Sequence, residues 1–185
     1  MKIAFVFPGQ ASQYAGMGKE FSQEFPEGAD IFRRADKALG FPLSRLCFEG
    51  PEEELNLTAN TQPAVLTTSV ACLEVIKSMG GPVPCAVAGH SLGEYTALVA
   101  ADSLSFEDAV TLVRKRGQYM QEAVPVGAGG MAAVMGLSTG LVVEARAAAS
   151  AAGVIEAVNL NCPGQVVIAG DTAGLKAVEP LLKEA

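Results

Sequence analysis

Apolar and polar positions fall in distinct blocks along the 185-residue chain. "IAFVF", Ile3 to Phe7, is an unbroken apolar run, the pattern of a strand buried on both faces of a parallel sheet. It breaks at Pro8-Gly9-Gln10 into a loop of small residues lasting to Gly18. Helical spacing then predicts one helix over Ala29–Leu39, ended by Gly40-Phe41-Pro42, and a second over Pro63–Met79, ended by Gly80-Gly81. Asn60-Thr61-Gln62 before Pro63 reads as a polar cap followed by a first-turn proline. A short strand, Cys85–Ala88, leads into a helix after Ser91. Ser105 and Asp108 form a capping-box start for a further helix running to about Ala123.

The pattern changes after Pro125. "PVGAGG", Pro125 to Gly130, reads as a linker. Beyond it come a strand (Met131–Met135), a helix (Leu141–Ala152), a strand (Val154–Leu160), a turn at Pro163-Gly164, a strand (Val166–Ala169) and a helix (Ala173–Lys183). That β-α-β-β-α order is a split βαβ motif lacking its closing strand. The expected class is α/β, with a first lobe over residues 1–124 and a smaller one over 125–185. Two parallel strands cannot support so many helices in the first lobe, so both lobes read as incomplete. These residues are therefore expected to be the N-terminal part of a longer domain.

Composition narrows the function class. Half the residues are hydrophobic and the net charge is -7, with 13 Lys and Arg scattered along the chain. Nucleic acid as the main partner would need a basic face, so it is excluded. No apolar run approaches membrane-spanning length, and the start lacks a signal-peptide pattern, so no membrane partner and a cytoplasmic location are expected. Cys47, Cys72, Cys85 and Cys162 show neither CxxC nor Cys/His metal spacing, which implies reduced thiols and no metal site.

The chemistry concentrates in "GHSLG", Gly89 to Gly93, between an apolar strand and a helix. This GxSxG corner presents Ser91 as a nucleophile, and the helix N-terminus behind it aims N–H groups at a developing oxyanion. On that template the Leu92 N–H is one donor, and the loop at Gly9-Gln10 is the natural source of the second. A serine nucleophile also needs a base, and the one histidine of the chain is His90. As the immediate neighbour of Ser91 at a tight corner it is poorly placed to reach the hydroxyl, so the base is expected beyond Ala185.

On the helix ending at Ala123, a turn of about 100° per residue puts Ala109, Leu112, Val113, Met120 and Ala123 on one stripe with Arg116 in its middle. Arg114 and Lys115 are expected to point outward. No acidic residue shares the stripe, so Arg116 must find an anion elsewhere. Two readings stay open: a bidentate grip on a substrate carboxylate, or an internal salt bridge. Gln62 reads more as a cap-region residue than a catalytic one. Asn159 and Asn161 before the Pro-Gly turn are weak cleft candidates.

Taken together, "FPGQASQYAGMG", "TQPA", "GHSLGEYTALVA", "RGQYMQEA" and "NCPGQVVIAG" resemble the malonyl-CoA:acyl carrier protein transacylases of fatty-acid biosynthesis, of the free-standing bacterial type. The resemblance implies an α/β-hydrolase-like larger lobe with an inserted ferredoxin-like smaller lobe. It implies Ser91 as the acyl-carrying nucleophile, the N–H groups of Gln10 and Leu92 as oxyanion hole, and Arg116 as the malonyl-carboxylate ligand. The partners would be malonyl-CoA and acyl carrier protein, with no cofactor. Arg33, Arg34, Arg114 and Lys115 are candidate docking cations for the acidic carrier protein. The competing classes are a serine esterase or thioesterase built on the same corner, and a non-catalytic binding fragment.

Overall fold

The computed structural model describes residues 2–125 and 127–185; within the expected linker, Val126 lies outside the described residues. The fold is α/β, and the chain divides into two compact units, Met1–Glu122 and Ala123–Ala185.

The first unit opens with β1 (Ala4–Phe7), followed by α1 (Lys19–Glu24), α2 (Pro26–Leu39), α3 (Leu43–Glu49), α4 (Glu52–Leu55) and α5 (Thr58–Ser78). Then come β2 (Ala86–Gly89), α6 (Gly93–Ala100) and α7 (Phe106–Ala123). Strands β1 and β2 pair in parallel, Ala4 opposite Ala86 through Phe7 opposite Gly89. Phe7, Leu73 and Ala97 pack beneath them, joined by Phe5 and Val87. The expectation of a strand buried on both faces fails here: Val6 is 74% exposed and Ala4 is exposed. Only the face carrying Phe5 and Phe7 is packed, because among the described residues no further strand or helix covers the other.

The main core lies among the helices instead. Phe32 of α2, Leu43 and Leu46 of α3, Leu66 and Val70 of α5, and Val110 and Val113 of α7 are buried together. Each such side chain contributes about 1.5–3 kcal/mol by leaving water. Helix α2 starts three residues before its predicted start, with Pro26 in the first turn, and stops where Gly40 takes φ 72° and donates to the Asp36 carbonyl at 2.9 Å. The short helices α1, α3 and α4 carry too few turns to register as periodic patterns.

Three predicted details are corrected by packing across α5 and α7. Helix α5 begins at Thr58, five residues before Pro63, so the proline sits inside the helix and Asn60-Thr61-Gln62 is not its cap. A proline there leaves the carbonyl four residues back, that of Ala59, without its usual donor. Arg114 Nη1 supplies one, reaching the Ala59 oxygen at 2.7 Å and also the Asn60 side chain, with its guanidinium carbon 4.8 Å from the centre of the Phe41 ring. Arg114 is thus half-buried rather than outward-pointing, and desolvation lowers its pKa. The buried stripe of α7 is Phe106, Ala109, Val110, Val113 and Gly117. Leu112 and Met120 are 45% and 43% exposed, so Arg116 flanks the stripe instead of centring it. Gly117 sets this phase: a Cβ there would lie 2.6 Å from the Thr58 carbonyl oxygen, so α7 sits directly on the backbone of α5. The capping box at Ser105 and Asp108 is present, Asp108 N donating to Ser105 Oγ at 3.2 Å.

The second unit runs β3 (Gly129–Met135), α8 (Thr139–Ala149), β4 (Ile155–Cys162), β5 (Gln165–Asp171) and α9 (Thr172–Glu184). Its three strands are antiparallel in the order β3-β5-β4. Val142, Ile155, Val166, Ile168 and Val178 form its core. Gly164 turns the β4–β5 hairpin at φ 78°, and Asp171 caps α9 by accepting from Gly174 N at 2.7 Å.

Candidate active site

Ser91 stands where β2 turns into α6, with φ 53°, in the left-handed region. A non-glycine residue held there costs of order 1–3 kcal/mol and persists only where its surroundings enforce it. The enforcement is visible. Gly93 N donates to the His90 carbonyl at 2.8 Å, Glu94 N to the Ser91 carbonyl at 3.1 Å, and His90 N to the Phe7 carbonyl of β1 at 3.1 Å. The two glycines are required by backbone contact. A Cβ on Gly89 would fall 1.9 Å from the Gly93 carbonyl, and one on Gly93 would fall 2.4 Å from the Phe7 oxygen. The serine is exposed, while the Leu92 side chain beside it is fully buried and anchors the turn.

The loop after β1 faces this corner. The His90 ring lies over it, its Nδ1 2.7 Å from where a Gly9 Cβ would stand. Ala11 takes φ 81°, and the loop is pinned from three sides. Ser12 Oγ donates to the Gly9 carbonyl at 2.8 Å, Thr58 Oγ1 to Gln10 Oε1 at 2.7 Å, and Gln13 Nε2 to Asn56 Oδ1 at 2.7 Å. Among the described residues, neither the Gln10 N–H nor the Leu92 N–H donates to a protein acceptor. Both amides remain available to an anion.

Arg116 completes the group. Its Nη2 donates to Ser91 Oγ at 3.1 Å and its Nη1 to Gln62 Oε1 at 2.5 Å. No carboxylate pairs with it among the described residues, so the internal salt bridge is absent there. An Arg guanidinium stays charged at every accessible pH. Gln62 is fully buried, and its Nε2 donates to Met120 Sδ at 3.3 Å. Sequence reasoning set Gln62 aside; the signal available was a polar side chain on the inward side of an otherwise apolar helix run. Asn159 and Asn161 belong to β4 of the second unit, where Asn161 Nδ2 donates to Gln165 Oε1 at 3.1 Å.

The other basic residues are mostly spoken for. Arg33 pairs with Asp30, and Arg34 makes a two-pronged bond to Glu107 at 2.7 and 3.0 Å. Lys115 is exposed. Among the described residues no group of three His, Cys, Asp or Glu side chains could hold a metal ion, and no helix is long and apolar enough to cross a membrane.

The model of the acyl transferase domain matches residues 4–184. The chain belongs to the acyl transferase domain family. Among curated members, the malonyl CoA-acyl carrier protein transacylase of Bacillus subtilis (strain 168) is 52% identical over 184 residues, covering 99% of this chain and 58% of that protein. Among solved structures, the acyl-carrier-protein S-malonyltransferase of Burkholderia pseudomallei 1710b superposes with a TM-score of 0.93 at 53% identity, over 100% of this chain and 60% of the other. A malonyl-transacylase in complex with its type II PKS acyl-carrier protein, PlMCAT:AntF, gives a TM-score of 0.94 at 43% identity, over 100% of this chain and 60% of that one. This acyl transferase domain chain therefore spans a little under three fifths of the length of the Bacillus relative.

Proposed function

We propose that these residues belong to a transferase that moves a malonyl group from malonyl-CoA to the phosphopantetheine thiol of acyl carrier protein, through a malonyl ester on Ser91. The observation that carries this is the Arg116 guanidinium, without a carboxylate partner among the described residues, 3.1 Å from the Ser91 hydroxyl. In a malonyl group one methylene separates carboxylate from thioester carbon, so the two lie only about 3 Å apart. A cation this close to the nucleophile receives that carboxylate as Ser91 Oγ reaches the carbonyl carbon.

In the first half-reaction Ser91 Oγ attacks the thioester carbon and passes its proton to a base. The carbonyl oxygen becomes an oxyanion held by the N–H groups of Gln10 and Leu92, each donor lowering the barrier by about 3 kcal/mol. The C–S bond then breaks, and coenzyme A leaves as the thiol after taking the proton back. In the second half-reaction the base takes the proton of the carrier-protein thiol, the sulfur attacks the ester carbon through the same oxyanion site, and the C–O bond breaks as the proton passes to Ser91 Oγ, giving ping-pong kinetics. The base is read as a histidine other than His90, as the resemblance to the transacylases implies. No cofactor takes part. The first unit is read as an α/β-hydrolase-like lobe and the second as a ferredoxin-like insert, dividing near residues 124 and 125. The reaction belongs to fatty-acid synthesis in the cytoplasm. Of the basic residues considered for carrier-protein docking, Arg33 and Lys115 are exposed, while Arg114 is engaged within the fold.

The test is transfer by the full-length protein from malonyl-CoA and from acetyl-CoA, before and after Arg116→Ala. Loss of malonyl transfer with acetyl transfer kept supports the reading, and equal losses contradict it. A thioesterase on the same corner would release the acyl group to water as fast without carrier protein as with it.

A further inference from the structure

Gln62 is a fully buried side chain with two partners, Arg116 and Met120. Burying an amide is costly unless both its ends are engaged, and a Leu or Met at this core position would pack without that cost. Its polarity therefore answers to what it touches. A guanidinium offers only donors, so the amide oxygen must face Arg116 and the NH2 group must face away. The Met120 sulfur accepts from that NH2 and fixes the amide in this sense. The bond to Gln62 Oε1 occupies one edge of Arg116 and sets the plane in which Nη2 reaches Ser91 Oγ.

The partner is also neutral. A glutamate here would orient the guanidinium equally well but cancel its charge before any substrate arrived. An amide orients it and leaves the charge in place.

We infer that Gln62, held by Met120, is a positioning residue that aims Arg116 and thereby sets the preference for an acyl group bearing a carboxylate over a neutral one. The inference rests on the role proposed above for Arg116.

The experiment measures kcat/KM for transfer from malonyl-CoA and acetyl-CoA in the full-length protein carrying Gln62→Met, Gln62→Glu or Arg116→Ala, with a melting curve for each. The ratio of the two kcat/KM values isolates selectivity from general damage. Gln62→Met should lower the malonyl-to-acetyl ratio by about 10- to 100-fold, the scale of a lost charge-assisted hydrogen bond, and Gln62→Glu should lower it by neutralising Arg116, while acetyl transfer stays within about twofold. A merely structural role would lower the melting temperature and both activities together, leaving the ratio unchanged; that result overturns the inference. Should Gln62→Met not fold, Gln62→Asn replaces it, since it keeps the amide but is one methylene too short to hold Arg116 in the same way. An Arg116→Ala ratio that falls while the Gln62→Met ratio holds defeats the inference and spares the role of Arg116. An Arg116→Ala ratio that holds defeats both.

Discussion

Gly93→Ala is the substitution whose consequence follows most directly from the geometry of the serine corner. The added Cβ would stand 2.4 Å from the Phe7 carbonyl oxygen and 2.7 Å from that of Pro8, both backbone atoms with no flexible side chain to yield. Opening the tighter contact to 3.0 Å, the least a Cβ tolerates, moves the start of α6 away from β1 by at least about 0.6 Å. Overpacking of this kind costs about 1–3 kcal/mol of stability. Catalysis should suffer more, because Ser91 moves with α6 while Gln10 stays with the β1 loop. A displacement approaching 1 Å at a reacting centre costs on the order of 10²-fold, so acylation should slow by about 10- to 100-fold. The assay is single-turnover acylation of the full-length protein beside a urea unfolding curve. Gly140→Ala is the control: its Cβ would meet nothing closer than 3.9 Å, in the first turn of α8, and should be neutral or stabilising by up to about 1 kcal/mol. A Gly93→Ala protein that acylates and unfolds like the parent would refute the close packing of α6 on β1.

Three further outcomes follow from the packing. Arg114→Ala should destabilise by about 1–3 kcal/mol by stranding the Ala59 carbonyl, and much less in a Pro63→Ala background, where residue 63 regains its N–H; urea unfolding of the four-member cycle measures the coupling. Burial, with a smaller contribution from Asp36, pushes the Cys47 thiol up to about 12. At pH 8, a thiol reagent should therefore label exposed Cys85 and Cys162 in the native protein and Cys47 only after unfolding. The Arg34 bond holds the Glu107 carboxyl below its ordinary range, so its contribution is present above the unfolded pKa and fades as pH falls through the lower folded value. Both side chains are more than one third exposed, so Glu107→Gln should cost well under 1 kcal/mol near neutrality, falling to nothing in acid, as unfolding curves across pH would record.

What could be read from the chain, and what could not, divides along the range of the forces involved. The serine corner was legible because its demands are mostly local: Gly89 answers to backbone atoms four and five residues on, and Gly93 to those of Phe7 and Pro8 at the end of the adjoining strand. The apolar run at Ile3 to Phe7 announced a strand but misreported its burial, since burial depends on neighbours the run does not encode. Pro63 signalled a helix start, and only Arg114, 51 positions later, allows the helix to pass through it from Thr58. The phase of α7 was misjudged for a similar reason. Apolar Leu112 and Met120 suggested one stripe, but Gly117 fits closest to α5 and rotates the helix accordingly. Gln62 went unrecognised because its meaning lies in Arg116 and Met120 across the interface, and a sequence shows no interface.

Mass spectrometry of the full-length protein after brief mixing with malonyl-CoA, without carrier protein, tests the central claim most directly. A single malonyl addition should appear on the peptide containing Ser91, disappear when carrier protein is added, and be absent from Ser91→Ala. A malonyl group on any other residue, or brisk transfer by Ser91→Ala, would contradict the account.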